Sequence, residues 1–193
     1  MSTLYNATEE TLLDNMLRTM QFEGGYKKNV YLDTEGYPTI GYGHKLSNVR
    51  YEKGDLPEEY KNMSWSEDES RKSFLSDYFE KESRVKTKFG EQAYNKLPDK
   101  AKSILIDLAF NMGSTKLFDE FPGFIADMYK GIKTGNYQDA AQELKYKNPD
   151  KGNMQMSNWW DQVGGDTTES KNEVRSGNRA TSTFDILGSL INL

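Results

Sequence analysis

The segment 20–46 constrains the fold most, because its pattern changes from helix to strand across a glycine pair. Before it, apolar side chains recur at helical spacing, at Leu12, Leu13, Met16, Leu17 and Met20. Gly24 and Gly25 are typical of the end of such a helix. Residues 29–44 then mix β-forming side chains around a turn at 33–36, which predicts a hairpin or small sheet.

Capping boxes at residues 6–9 and 66–69 predict the starts of two helices, because the side chains satisfy the first free backbone amides. The second helix should run to Phe89. Its sparse apolar positions are typical of a half-buried connector between two lobes; they are Phe74, Tyr78, Phe79 and Val85. Pro98 fits position N1 of a buried helix that ends at Gly113.

The remaining periodicity predicts further helices, at about 121–133, 136–146 and 172–192. A chain of 193 residues is long enough for one domain with a sizeable core. We therefore expect a mostly α (α+β) fold of two lobes in a single domain, 1–193. It has a small N-terminal lobe with a short hairpin or sheet at about 10–65, a connecting helix at about 66–89 and an all-α C-terminal lobe at about 90–193.

Composition excludes several classes of function. The chain has no cysteine and one histidine, so thiol hydrolases are excluded and a zinc site of the usual ligands is not expected. Its net charge of −5 argues against a broad basic face for nucleic acid. The sequence shows neither a membrane-spanning apolar run nor the pattern of a secretory signal peptide. We expect no cofactor, no nucleic-acid partner and no membrane span.

Two carboxylates and a hydroxyl in the segment 20–46 form a candidate catalytic set. Glu23 follows the first predicted helix, where the exposed carbonyls disfavour a carboxylate and raise its pKa. Asp33 lies at a turn that backbone amides and water can solvate, and the Thr39 hydroxyl could hold a water against it. Metal-free glycoside hydrolysis needs such an acid and a second carboxylate. Taken one at a time, each residue also has a structural explanation. Glu23 could be a solvated residue at a helix end, Asp33 could form an Asx turn, and Thr39 could be a β-forming side chain.

Three short motifs occur in order: Glu-Gly at Glu23, Tyr-x-Asp-x-x-Gly from Tyr31, and Thr-x-Gly-x-Gly-His from Thr39. In this combination they resemble the active-site segment of the phage-type lysozymes, glycoside hydrolase family 24. The resemblance implies that Glu23 is the general acid, Asp33 the base or electrostatic partner, and Thr39 the residue that positions the water. It also implies inversion at the anomeric carbon, with the two carboxyls roughly 6.5–9.5 Å apart.

The resemblance extends more faintly downstream. It implies that Asn111 is a substrate-binding amide, although a polar side chain at a helix end is an equal alternative. It places Arg179 near Glu23 as a second substrate-binding residue, and Arg175 competes for that position. We leave both alternatives open at this stage.

Two other features have structural explanations. The resemblance suggests that His44 forms a buried ion pair with Asp77 on the connecting helix, which we interpret as structural rather than catalytic. Trp159 and Trp160 could form a platform for stacking sugars, but buried aromatic side chains are the commoner explanation.

The resemblance implies a lysozyme-like fold and a peptidoglycan hydrolase that cleaves the β-1,4 bond between N-acetylmuramic acid and N-acetylglucosamine. Bacterial peptidoglycan is the expected partner, and we expect a monomer. Synthesis in the host cytoplasm, with delivery to the cell wall by another factor, fits phage-mediated lysis. The alternatives are a non-catalytic wall-binding or virion structural module, and a tail-associated or antibacterial effector lysozyme.

Overall fold

The computed structural model describes residues 3–146, 157–163 and 179–190. An N-terminal helix is followed by a three-stranded antiparallel sheet and then by helices. The elements are α1 Thr3–Phe22, β1 Lys27–Leu32, β2 Pro38–Gly41, β3 His44–Lys45, α2 Glu58–Lys61, α3 Glu67–Phe89, α4 Glu91–Tyr94, α5 Asp99–Met112, α6 Ser114–Glu120, α7 Pro122–Thr134, α8 Gln138–Lys145, α9 Asn158–Gln162 and α10 Arg179–Ser189. The predicted α+β class is confirmed. No helix in these ranges is long and apolar enough to cross a membrane.

Helix α1 begins at Thr3, so the start predicted at residues 6–9 is wrong. No glycine or proline separates Thr3 from that box, and asparagine costs only a fraction of a kcal/mol inside a helix. The predicted end is confirmed, because Gly24 and Gly25 adopt φ angles of 84° and 73°.

The predicted apolar face of α1 is only partly buried. Met16 is buried, whereas Leu12, Leu13 and Leu17 are exposed. The helix packs against α5, and its buried face includes Thr19, which is 1% exposed. The buried face of α1 is therefore rotated away from the three leucines and towards Thr19.

The predicted hairpin is confirmed and extended by a third strand. Strands β1 and β2 pair with Tyr31 opposite Thr39, and β2 pairs with β3 through Ile40 and His44. The turn at 33–36 closes through a bond from the Gly36 amide to the Asp33 carbonyl at 3.1 Å. Every residue of β2 is buried.

The capping box at 66–69 and the helix it opens are confirmed. The Ser66 hydroxyl accepts a hydrogen bond from the Glu69 amide, and the Glu69 carboxylate accepts one from the Ser66 amide. Along α3, Phe74, Tyr78 and Val85 are buried as predicted. Phe79 is 50% exposed, since it points beside the buried row rather than into it.

Two hydrophobic cores give the fold its two lobes, and α3 contributes to both. The smaller core contains Phe74 and Tyr78 of α3 together with Met16, Tyr42 and Ile106. The larger core takes up the C-terminal half of the same helix, at Val85 and Phe89. Helix α3 therefore connects the lobes, as its sparse apolar pattern predicts.

The C-terminal lobe is helical and is built around α5. Pro98 is the residue before this helix rather than its first residue, and Gly113 ends it as predicted. Helices α7 and α8 match the predictions at 121–133 and 136–146 to within two residues. Of the helix predicted at 172–192, the described part is α10. Sequence periodicity missed the short helices, namely α2, α4, α6 and α9, because one or two turns carry little pattern.

We predict that Ser66→Ala lowers the free energy of unfolding by about 1 kcal/mol, because the Glu69 amide at the start of α3 loses its partner, the Ser66 hydroxyl. Urea unfolding followed by circular dichroism measures the change. Ser76→Ala, an exposed serine-to-alanine change within the same helix, is the matched control and should alter stability by less than about 0.5 kcal/mol. Equal losses in the two variants would contradict the capping role.

Candidate active site

The Glu23 carboxyl is held between a guanidinium and a glycine backbone. Glu23 directly follows α1, and its amide donates to the Thr19 carbonyl at 3.0 Å. Arg179 Nη2 donates to Glu23 Oε1 at 2.8 Å, and the Glu23 side chain is only 19% exposed. On the other side lies Gly43, where a Cβ atom would sit 2.6 Å from Glu23 Oε2. The site therefore requires glycine at position 43, which also has a φ of 82°.

Burial raises the pKa of the Glu23 carboxyl above its ordinary value. The charge and hydrogen bond of Arg179 oppose this rise, whereas the negative charges of Asp107 and Asp33 add to it. The net direction is upward, and the main cause is desolvation rather than the helix end. A carboxyl that holds its proton in this way is suited to act as a general acid.

Arg179 begins the described part of α10 and is 2% exposed. Its guanidinium reaches two carboxylates, because Nε and Nη2 also donate to the two oxygens of Asp107, each at 3.2 Å. The structure thus brings Arg179 to Glu23, and the competing Arg175 lies outside the described residues. The substrate-binding role of Arg179 stays a prediction.

Asp33 occupies the first position of the β1–β2 turn. Its Oδ1 accepts hydrogen bonds from the Glu35 and Tyr37 amides, each at 2.9 Å. These bonds fix the carboxylate relative to the sheet. This is the geometry of an Asx turn, which is the structural explanation given for Asp33 in the sequence analysis. The same geometry also presents a carboxylate that is oriented by backbone donors.

Thr39 and Tyr31 are paired across β1 and β2. The Thr39 hydroxyl is buried and donates to the Tyr37 carbonyl at 3.1 Å, so its lone pairs can still accept from a water. Burial together with the charges of Glu23 and Asp33 raises the pKa of Tyr31 to about 12. The Glu23 and Asp33 carboxylates therefore both raise the pKa of the Tyr31 phenol. The water-positioning role of Thr39 stays a prediction.

The predicted pair of His44 and Asp77 forms, with Nδ1 and Oδ2 2.7 Å apart. It joins β3 to α3, and the His44 ring also lies against Trp65, with centroids 5.2 Å apart. The pair is half-buried rather than buried, since the side chains are 31% and 21% exposed.

Asn111 accepts a hydrogen bond from Trp159 Nε1 at 3.0 Å. This bond ties the end of α5 to α9 and gives the exposed amide a structural partner; substrate binding by Asn111 stays a prediction. Trp159 and Trp160 are 5% and 1% exposed. The commoner explanation, buried aromatic side chains, is therefore confirmed, because both indoles pack in the larger core.

Sequence reasoning missed two residues around the Glu23 carboxyl and its arginine, Gly43 and Asp107. Gly43 lies within a quoted motif, but its contact with Glu23 depends on how the β2–β3 turn meets the end of α1. Asp107 interrupts the apolar run 104–109 and is fully buried. A lone carboxylate in such a run is a recognisable signal, because a buried charge needs a partner.

A buried carboxyl with a raised pKa, a second carboxylate on a turn and a two-lobed helical fold are the features expected of a lysozyme-type glycoside hydrolase. The family model described as "Phage lysozyme" matches residues 20–165. A relative from Dictyostelium discoideum, described as "Probable T4-type lysozyme 2", is 26% identical over 147 residues, which cover 69% of this chain and 84% of the relative. The chain belongs to the phage lysozyme family and is a lysozyme-type peptidoglycan hydrolase.

We predict that Glu23→Gln makes the protein more stable than wild type at neutral pH. The folded state keeps the Glu23 proton above the ordinary value of 4.5, where the unfolded chain releases it. Wild-type stability therefore falls as pH rises from about 4.5 through the raised pKa, and the glutamine variant escapes this loss. Urea unfolding between pH 4 and 8 measures the difference.

The matched control for this series is Glu52→Gln, which changes an exposed loop carboxylate. Its stability difference from wild type should not grow across the same pH window. A Glu23→Gln variant that is less stable than wild type at pH 7 would show that the ion pair with Arg179 outweighs burial.

Proposed function

We propose that this protein is an endo-β-1,4-N-acetylmuramidase that cleaves between N-acetylmuramic acid and N-acetylglucosamine in bacterial peptidoglycan. The observation that carries the proposal is the Glu23 carboxyl, which is buried against Gly43, bonded to Arg179 at 2.8 Å and raised in pKa. A group of this kind keeps its proton until a leaving oxygen is placed against it.

In this mechanism Glu23 donates its proton to the glycosidic oxygen while the bond from that oxygen to the anomeric carbon breaks. Asp33 takes a proton from the water whose oxygen attacks the anomeric carbon from the opposite face. The Thr39 hydroxyl supports that water, because its own proton is directed to the Tyr37 carbonyl. Arg179 then stabilises the carboxylate that Glu23 becomes.

The biological setting that we propose is phage-mediated lysis, with a monomeric enzyme made in the host cytoplasm and delivered to the wall by a separate factor. Membership of the phage lysozyme family supports this setting. Bacteria producing the chain in the cytoplasm should lyse when it is exported and survive when it is not. Lysis without any export route would contradict the delivery step.

We predict that the wild-type protein releases muropeptides with N-acetylmuramic acid at the reducing end from purified peptidoglycan. Glu23→Gln should lower the rate at least about 100-fold, because the proton donor is lost. Mass spectrometry of the released fragments measures both results, and Glu52→Gln serves as the charge-matched control with unchanged activity.

Two results would overturn this assignment. Fragments with reducing-end N-acetylglucosamine would assign the other glycosidic bond. Absence of any release, while wild type and Glu23→Gln both sediment with the wall, would favour a non-catalytic wall-binding module.

We predict that the first product has the α configuration at its new reducing end, because attack by water on the face opposite the leaving group inverts a β bond. Proton NMR of a soluble peptidoglycan fragment, recorded before mutarotation, measures the anomer. Asp33→Asn should lower the rate at least about 100-fold under the same conditions. A β product would show retention and make Asp33 or another group a nucleophile.

A further inference from the structure

Asp107 is a buried carboxylate that the mechanism above does not use. It lies in the middle of α5, between Ile106 and Leu108, and is 0% exposed. Its two oxygens accept hydrogen bonds from Arg179 Nε and Nη2, each at 3.2 Å. A carboxylate with no exposure is retained only where its charge is compensated, so the pair with Arg179 accounts for its burial.

One nitrogen of Arg179 is shared between the two carboxyls. Nη2 donates to Glu23 Oε1 at 2.8 Å and to Asp107 Oδ1 at 3.2 Å. A second cation lies behind Asp107, because Arg18 Nη2 is 3.9 Å from Asp107 Oδ2 while Arg18 Nη1 donates to Ser182 Oγ at 3.1 Å. The charges therefore alternate in the order Glu23, Arg179, Asp107, Arg18.

We propose that Asp107 is a positioning residue for the general acid: by holding Arg179 through two hydrogen bonds, it limits how strongly that cation binds Glu23 and so keeps Glu23 protonated for catalysis. The inference rests on the muramidase mechanism, in which Glu23 must carry a proton. An arginine paired with Glu23 alone would favour the ionised carboxylate.

The other groups around Glu23 do not supply this compensation. Arg179 from α10 is the cation in contact with it, and Arg18 from α1 lies beyond Asp107. Asp33 from the β1–β2 turn and Asp107 from α5 both raise the pKa of Glu23, and Asp107 has the larger effect of the two. Tyr31 of β1 is neutral at the pH of activity. Among these groups only Asp107 contacts the arginine.

The test is a direct titration of Glu23 in the full chain, with ¹³C placed at the glutamate side-chain carboxyl and the Glu23 resonance assigned by its absence in Glu23→Gln. Asp107→Asn should lower the pKa of Glu23 by about one unit or more, because Arg179 then pairs with Glu23 alone. The high-pH limb of kcat/KM on peptidoglycan should move down by the same amount.

Two further variants separate this role from a purely structural one. Arg18→Gln removes the cation behind Asp107, so Asp107 should hold Arg179 more tightly and the pKa of Glu23 should rise. Asp99→Asn makes the same chemical change on the same helix at an exposed position paired with Lys102, and the pKa of Glu23 should not move. A residue that only fastened α10 to α5 would not give shifts of opposite sign.

An unchanged Glu23 pKa in folded Asp107→Asn would overturn the proposal, and so would a downward shift in Arg18→Gln. If circular dichroism shows that Asp107→Asn is unfolded, the direction of the shift in Arg18→Gln decides alone. The titration can be measured whether or not the protein is active. If the pKa of Glu23 shifts as expected but the protein releases no muropeptides, the muramidase function is refuted. The effect of Asp107 on Glu23 through Arg179 is still established in that case.

Discussion

The buried guanidinium of Arg179 is the interaction on which the rest of the site depends. It joins three elements that are distant along the chain, since its partners Glu23 and Asp107 lie 156 and 72 residues away. Because Asp107 is 0% exposed and Arg179 is 2% exposed, removing the Asp107 charge is expected to be strongly destabilising, typically by about 3–5 kcal/mol. The docking of α10 against α5 and the position of the Glu23 side chain therefore both depend on Arg179.

The same interaction imposes two opposing demands on Glu23. In the proposed mechanism the carboxyl must hold a proton before catalysis, which burial favours and the arginine opposes. After proton transfer it must be stable as a carboxylate, which the arginine favours. Burial determines that Glu23 is protonated before the reaction. The hydrogen bond from Arg179 at 2.8 Å, which stabilises the carboxylate formed after proton transfer, is already present. The arrangement costs stability in the resting protein and reduces reorganisation during the reaction.

Sequence patterns predicted the features that depend on neighbouring residues. The capping box at 66–69, the turn at 33–36 and the glycines at 24 and 25 each determine local backbone geometry, and all three are confirmed. On α1 the apolar spacing predicted a helix but did not identify its buried face, which includes Met16 and Thr19 and leaves Leu12, Leu13 and Leu17 exposed. The contacts of Gly43 and Asp107 with the site could not be predicted, since they arise only where separate elements meet.

Glu23 and Asp33, the two proposed catalytic carboxyls, are both held by turns of the same sheet. Asp33 is fixed by amides of the β1–β2 turn, and Gly43, which contacts Glu23, lies in the turn between β2 and β3. Both turns belong to one three-stranded sheet, so Asp33 and the backbone that contacts Glu23 are parts of the same element. Gly43 and Arg179 hold the Glu23 carboxyl on two sides, so its position relative to Asp33 depends on both the sheet and α10.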